Sequence, residues 1–322
     1  MNKDAYALPG NTARSHTEAM LRNVLYGSGS RVNSNSSLLL HSLTTLTGSM
    51  RTVTYKRGFS IGKELYRMLN EKKHYATYEE SIPDLVSFLE RAGLGRIAYA
   101  AFEDGLALSV YNGEHRHVGT NIHVFEAGIM SGFVSSGRRD YSVVEEKACA
   151  SNSADHCEFV FSASERRAEP QSGPGVEGKE IIDGLLGHIY KPQEGGGNLS
   201  DSYAALLSNM VADRKYFEEM GGIMAYIGGS VGDMVAKRSM NHRFEDMLGI
   251  LDGIYTGMVT TKSKKPMSIE MAFDGTRLSK AYAKLSLSLL GGMLSKLYST
   301  KRMKAIEINK YDQYKIKIAE EQ

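Results

Sequence analysis

Two cysteines, the only ones among 322 residues, lie in the segment EEKACASNSADHCEFVF (145–161). Cys149 ends one alternating apolar run and Cys157 begins another, with the polar turn SNSAD between them. A hairpin across that turn would bring both thiols to one end of a sheet. Thiolates, together with a carboxylate or an imidazole, suit Zn²⁺, which favours four tetrahedral ligands. The pattern therefore points to metal binding, with redox chemistry or burial as small apolar side chains as the alternatives.

The third candidate ligand, Glu146, precedes Cys149 by three positions. On a straight strand these two side chains would point to opposite faces of the sheet. A shared ion therefore requires a β-bulge between them or a strand that ends near Ala148.

The fourth candidate ligand is His123, which stands at the start of a predicted helix before the hairpin. Helical side chains lean toward the helix N-terminus, so that end can reach an adjacent sheet edge. His156 and Asp155, both next to Cys157 in sequence, are alternatives for the same position.

The cysteine segment and the preceding helix, HVFEAGIMSGFVSS, resemble the signature of the 4-vinyl reductase domain. That superfamily includes small subunits of the TRAPP vesicle-tethering complex and phenol-sensor domains. The resemblance covers roughly residues 17–162, including GFSIG (58–62) and ERAGLG (90–95).

The resemblance also implies a ligand set and a function. In the phenol-sensing members, zinc is held by Cys, Glu, Cys and Cys. The last three match Glu146, Cys149 and Cys157, and the first falls at His123, where this chain departs from the family. The family binds hydrophobic or aromatic small molecules between sheet and helices, so the resemblance implies such a ligand here.

The division of the chain is marked by a stretch rich in Ser, Pro, Gly and charge at 162–178, followed by KPQEGGGNLSDS (191–202). Such composition is typical of linkers. We expect a first domain over residues 1–165, a linker region over 166–202 and a second domain over 203–322.

The two predicted domains share a weak internal repeat. GFSIGKEL (58–65) aligns with GGSVGDMV (228–235), the segment 94–113 with 256–275, and AGIMSGF (127–133) with LSLLGGM (287–293). Self-similarity in this order indicates two copies of one unit. The second copy lacks the ligands, because Lys310 and Ile318 stand near the places of the cysteines and Lys or Ala near that of His123. The chain would then be a pseudo-dimer, or form a homodimer.

Each copy has the same predicted elements: a glycine-containing helix, a second helix, two strands, a third helix and a closing hairpin. The predicted helices cover residues 58–69, 82–92 and 125–134 in the first copy and 228–240, 244–255 and 278–298 in the second. The run LALSVYN (106–112) alternates with period two, as a half-buried strand does. We therefore expect an α+β fold, with helices packed on an antiparallel sheet in two tandem copies.

Composition narrows the function classes. The formal net charge of +2 argues against a nucleic-acid binder. No apolar run is long enough to span a bilayer, and the N-terminus has no secretory pattern, so we expect a cytoplasmic protein. Nucleotide-binding and hydrolase motifs are absent from the sequence, and the glycines of GGSVGD (228–233) are better explained by helix packing.

The favoured hypothesis is a small-molecule-binding or sensor protein with a structural zinc in its first domain, acting through a partner protein rather than as an enzyme. The alternative is a TRAPP-like scaffold, marked by an exposed apolar patch. An accessory role in tetrapyrrole metabolism is suggested by the family name only.

Overall fold

The structure is a computed structural model, and the residues it describes fall into several segments. These are residues 18, 21–26, 31–33, 48–102, 105–111, 123–140, 142–150, 154–163, 198–200, 214–238, 259–265, 268–273, 280–297, 303–310 and 313–320. The helix predicted over 244–255 lies outside them.

Three long helices belong to the first half of the chain: α1 (Gly48–Lys73), α2 (Ile82–Ala92) and α3 (Val124–Arg138). The predicted bounds of α2 are confirmed. Its apolar side chains repeat with helical spacing and are buried, and it ends at Gly93, whose φ of 99° suits a left-handed C-cap. By contrast, α1 begins at Gly48, well before the predicted start at residue 58.

The first sheet has four antiparallel strands in the order β2-β3-β5-β4. The strands are β2 (Arg96–Phe102), β3 (Gly105–Tyr111), β4 (Ser142–Ala148) and β5 (Cys157–Ala163). Leu106, Leu108 and Val110 of β3 are buried on one face, which confirms the alternation predicted for this strand. The prediction of an antiparallel sheet packed with helices is thus confirmed for this half.

Helix α3 lies in the core of this half, since all its residues from Val124 to Ser135 are buried. It packs on α1 and on β4. The contact with α1 is close because Gly58 and Gly62 of α1 face the backbone of α3: a Cβ on them would lie 2.2 Å from the carbonyl oxygen of Phe125 and 1.9 Å from that of Ile129. Glycines on this face therefore allow backbone-to-backbone contact.

The second half contains helices α4 (Arg214–Arg238) and α5 (Lys280–Leu297). A second antiparallel sheet has the order β7-β8-β10-β9. Its strands are β7 (Val259–Lys265), β8 (Ser268–Phe273), β9 (Met303–Lys310) and β10 (Gln313–Glu320).

The glycines of GGSVGD pack α4 on α5, as predicted. A Cβ on Gly228 would lie 2.0 Å from the carbonyl oxygen of Leu289, and one on Gly232 would lie 2.5 Å from that of Met293. Their role is therefore close helix packing.

A third, two-stranded sheet joins two short segments. Strand β1 (Arg31–Asn33) pairs antiparallel with β6 (Asn198–Ser200), which falls within the predicted linker region. Among the described helices, none combines the length and apolar character that crossing a membrane requires.

Candidate metal centre

The two cysteines lie on either side of the turn of the β4–β5 hairpin. Strand β4 ends at Ala148, so Cys149 follows it directly, while Cys157 is the first residue of β5. The pairing register shifts between Glu146 and Ala148. This bulge is the irregularity that the sequence argument required for Glu146 and Cys149 to face one point.

His123 reaches the hairpin from the N-terminus of α3, where it is the N-cap residue. Its backbone N–H donates to Oε2 of Glu146 at 3.0 Å, and its ring Nδ1 lies 2.6 Å from Oε1 of the same carboxylate. Glu146 therefore caps the first turn of α3 and binds the imidazole at once.

A second set of hydrogen bonds holds α3 against β4. The backbone N–H of Ser142 donates to Oγ of Ser135 at 2.9 Å, and Oγ of Ser131 donates to the carbonyl oxygen of Ser142. Helix and strand are thus joined near both of their ends, which fixes the position of His123 relative to the hairpin.

The structure brings the four predicted ligands together: His123, Glu146, Cys149 and Cys157 each offer a ligand atom, all within 4.8 Å of one another. The Sγ atoms of the two cysteines are 3.7 Å apart, and Sγ of Cys149 lies 3.5 Å from Nδ1 of His123. The group could hold a metal ion.

These distances can be compared with a tetrahedral ion. Bonds of about 2.3 Å to sulfur and about 2.05 Å to nitrogen or oxygen place two sulfurs about 3.8 Å apart and a sulfur and a nitrogen about 3.5 Å apart. Both expectations match the observed pairs. A nitrogen and an oxygen would be about 3.3 Å apart, whereas Nδ1 of His123 and Oε1 of Glu146 are hydrogen-bonded at 2.6 Å. A change of about 0.7 Å in this one distance separates the group from a tetrahedral set.

His123 and both cysteines are at most 2% exposed. Because water screens buried charges little, the protonation state of each group depends strongly on its neighbours. Burial alone would lower the pKa of His123, but the Glu146 carboxylate and Cys149 together outweigh it and hold that pKa well above its usual value. Burial raises the pKa of the Cys149 thiol, and the hydrogen bond with Cys157 adds to the rise. A bound divalent cation would reverse this preference, because it deprotonates a coordinating thiol.

The backbone of the hairpin supports the sulfur atoms. The N–H of Ala150 donates to Sγ of Cys157 at 3.3 Å, and the N–H of Ala154 donates to the carbonyl oxygen of Cys149 at 3.2 Å. The turn backbone thus helps to hold both cysteines in position.

The two alternative ligands lie outside the cluster. The ring of His156 stacks on Tyr111, with centroids 5.2 Å apart, and Asp155 is exposed. Neither belongs to the group of four ligand atoms.

Sequence reasoning missed a contact of this centre with α1. Oη of Tyr55 accepts a hydrogen bond from the backbone N–H of Val144 at 3.3 Å, and Arg51, one turn earlier, is partly buried. Both residues lie before the predicted start of the helix. Their spacing of four was the only signal in the sequence that they share a helix face.

Comparison of the chain with protein-family models and with curated proteins gives no match. The resemblance to the 4-vinyl reductase domain therefore rests on the residues of the hairpin and helices themselves.

Proposed function

We propose that His123, Glu146, Cys149 and Cys157 hold one structural zinc ion. The observation that carries the proposal is the 3.7 Å separation of the two Sγ atoms, which fits two thiolates on one tetrahedral ion. Mixed sulfur, nitrogen and oxygen ligands favour zinc over Mg²⁺ or Ca²⁺, which prefer oxygen alone.

The role proposed for the zinc is to tie the start of α3 to the β4–β5 hairpin. Four protein ligands leave no open position for a substrate or an activated water, so the site suits structure rather than catalysis. The ion would replace the His123–Glu146 hydrogen bond with a four-way link between helix, strand and turn.

For the whole chain we propose a small-molecule-binding or sensor protein that acts through a partner protein. Its support is the resemblance to the phenol-sensor domains and the arrangement of α3, which is buried between α1 and the sheet. A hydrophobic or aromatic molecule bound beside α3 would act on the helix whose start the zinc holds.

A second candidate, a TRAPP-like scaffold, is favoured by one specific observation. Strand β2 lies at the edge of its sheet, and its side chains Tyr99 and Phe102 are 48% and 51% exposed. Tyr111 on the neighbouring strand is 42% exposed. Exposed aromatic side chains on the last strand of a sheet, as far as the described residues go, are suited to contact with another protein.

We propose further that residues 203–322 are a second copy of the first domain without its metal. The two sheets have the same strand order, and equivalent residues pair across them. In the first sheet, backbone pairing across the four strands connects Tyr99, Leu108, Phe159 and Glu146. In the second sheet, the corresponding pairing connects Thr261, Met271, Ile316 and Glu307.

This register supports a specific alignment of the hairpins. Cys157 pairs with Val110, and Tyr314 pairs with Phe273, so Tyr314 rather than Ile318 stands at the place of Cys157. The place of Cys149 falls at Lys310. A lysine and a tyrosine would not form a zinc site of this kind.

The zinc proposal is tested by elemental mass spectrometry of the purified chain and of Cys149→Ser, His123→Ala and His156→Ala variants. We expect one zinc per chain in the wild type and in the His156 variant, and weakened retention in the other two. Protein that contains no zinc, when prepared without chelator and supplied with the ion, would exclude the site.

The function is tested separately. Denatured protein is extracted for hydrophobic molecules, and binding of simple phenols is measured by calorimetry. A retained or titratable aromatic ligand supports the sensor. Failure of both, together with self-association that Tyr99→Lys abolishes, would support the scaffold instead.

A further inference from the structure

We infer that Arg51 is a positioning residue for the metal centre, supplying the positive charge that neutralises the ligand set through Glu146. The inference rests on the proposed zinc site and adds to it a residue from α1, outside the cysteine motif.

The first observation is the position of α1 along β4. Oη of Tyr55 accepts from the N–H of Val144, which fixes those two residues opposite each other. Arg51 lies four residues earlier on the same helix face, about 6 Å along the axis. Two residues of strand span about 6.6 Å, the distance from Val144 to Glu146. Since α3 runs antiparallel to β4 and α1 runs parallel to α3, Arg51 is level with Glu146.

The direction of α1 follows from its packing on α3. A Cβ on Gly128 would meet the carbonyl oxygen of Tyr55, and a Cβ on Gly132 would meet that of Phe59. The two helices thus run in the same direction with a constant offset. One turn before Tyr55, this offset places Arg51 level with Val124.

Two separate contacts therefore lead to the same place. Val124 is the residue after His123, and His123 is hydrogen-bonded to Glu146. The alignment along β4 and the alignment along α3 both put Arg51 at the level of the His123–Glu146 pair.

The net charge of the proposed zinc site explains why a positive side chain would stabilise it. Zn²⁺ with two thiolates, one carboxylate and a neutral imidazole carries a net charge of about −1. A buried unbalanced charge is costly, and an arginine remains protonated at any physiological pH. Arg51 would bring the centre to neutrality.

The state of Arg51 fits this role. Its Nε is buried and has no hydrogen-bond partner in the part of the chain that the structure describes. Burial lowers the pKa of Arg51, and the negative charge of Glu146 opposes that change. A positive charge near Glu146 gains more Coulomb energy when that carboxylate belongs to a negatively charged cluster.

The test measures the zinc affinity of the full chain by competition with a chromophoric chelator. Arg51→Gln removes the charge, Arg51→Lys keeps it, and Arg57→Gln removes an exposed charge from the same helix. We expect Arg51→Gln to weaken zinc binding by about 10- to 100-fold, as removal of a group behind a metal ligand does. Arg51→Lys should restore most of the affinity, and Arg57→Gln should leave it unchanged.

A second carboxyl, Glu126, is buried in the first turn of α3 and provides a further control. If Arg51 acts through Glu146, Arg51→Gln weakens binding equally with and without Glu126→Gln. An Arg51→Gln effect that disappears in the Glu126→Gln background would assign Arg51 to Glu126 and overturn the inference.

The remaining outcomes separate this inference from the zinc site itself. Wild-type affinity in Arg51→Gln, with zinc still bound, would overturn the role of Arg51 and leave the site intact. Equal losses in Arg51→Gln and Arg51→Lys would show that shape rather than charge matters, which also overturns it. A wild-type chain without zinc affinity would overturn both proposals.

Discussion

At the scale of single residues, the candidate metal centre would be governed by competition between protons and a cation. His123 and Glu146 already satisfy each other as a buried ion pair, and the Cys149 thiol is held in its neutral form by burial. Metal binding must displace these protons, because only thiolates and neutral imidazole are ligands.

This competition predicts that zinc affinity rises with pH between about 6 and 8, since protons leave the two thiols and His123 as the ion binds. Calorimetry in buffers of different ionisation enthalpy should detect this proton release. The His156→Ala variant should show the same release as the wild type. An affinity independent of pH over this range would contradict the ligand set.

At the scale of elements, the helix crossings depend on glycines rather than on large side chains. Within α4, Gly228 faces the backbone of α5, whereas a Cβ on Gly222 would meet nothing within 4 Å. The same substitution at these two positions therefore separates helix propensity from packing.

We predict that Gly228→Ala destabilises the protein by about 1–3 kcal/mol, because the new methyl group would lie 2.0 Å from the carbonyl oxygen of Leu289. Gly222→Ala should stabilise it by up to about 1 kcal/mol through helix propensity. Urea unfolding measures both changes. A destabilisation of similar size at the two positions would indicate that contact with α5 is not the cause.

The elements also show how far the sequence could be interpreted. The bounds of α2 were predictable because a proline near its start, an amphipathic run and Gly93 all agree. The early start of α1 was not, since Thr52, Val53 and Thr54 are weak helix formers. Packing of Tyr55 against α3 and β4 overrides that weak propensity.

The candidate metal site illustrates the same limit of sequence interpretation. Spacing predicted Glu146, Cys149 and Cys157 and required a bulge, which is present. Arg51 lies outside any motif, so only the tertiary arrangement of α1 brings it to the site. For the proposed repeat, the sequence aligned Gly132 with Gly292, whereas the helix contacts make Gly128 the counterpart of Gly292. A Cβ on Gly128 would meet the carbonyl oxygen of Tyr55, and one on Gly292 would meet that of Ala225.

At the scale of the whole molecule, the four candidate metal ligands all lie in the first half of the chain, and within the described residues no comparable group occurs in the second half. The second half is held by the α4–α5 contact and its own sheet. Removal of the ion should therefore destabilise the first half of the chain more than the second.

We predict that a chelator increases hydrogen exchange in α3 and in the β4–β5 hairpin while α4 and α5 remain protected. A ligand that binds only the folded state at a free concentration of a hundred times its Kd stabilises that state by about 2.7 kcal/mol. At that ratio of free zinc to Kd, removal of zinc should lower the protection free energy of the first half by about 2.7 kcal/mol. Hydrogen exchange resolved by mass spectrometry measures both halves in one sample, and Cys149→Ser should reproduce the chelator effect without chelator. Equal loss of protection in both halves would mean that they unfold as one cooperative unit, stabilised throughout by the ion.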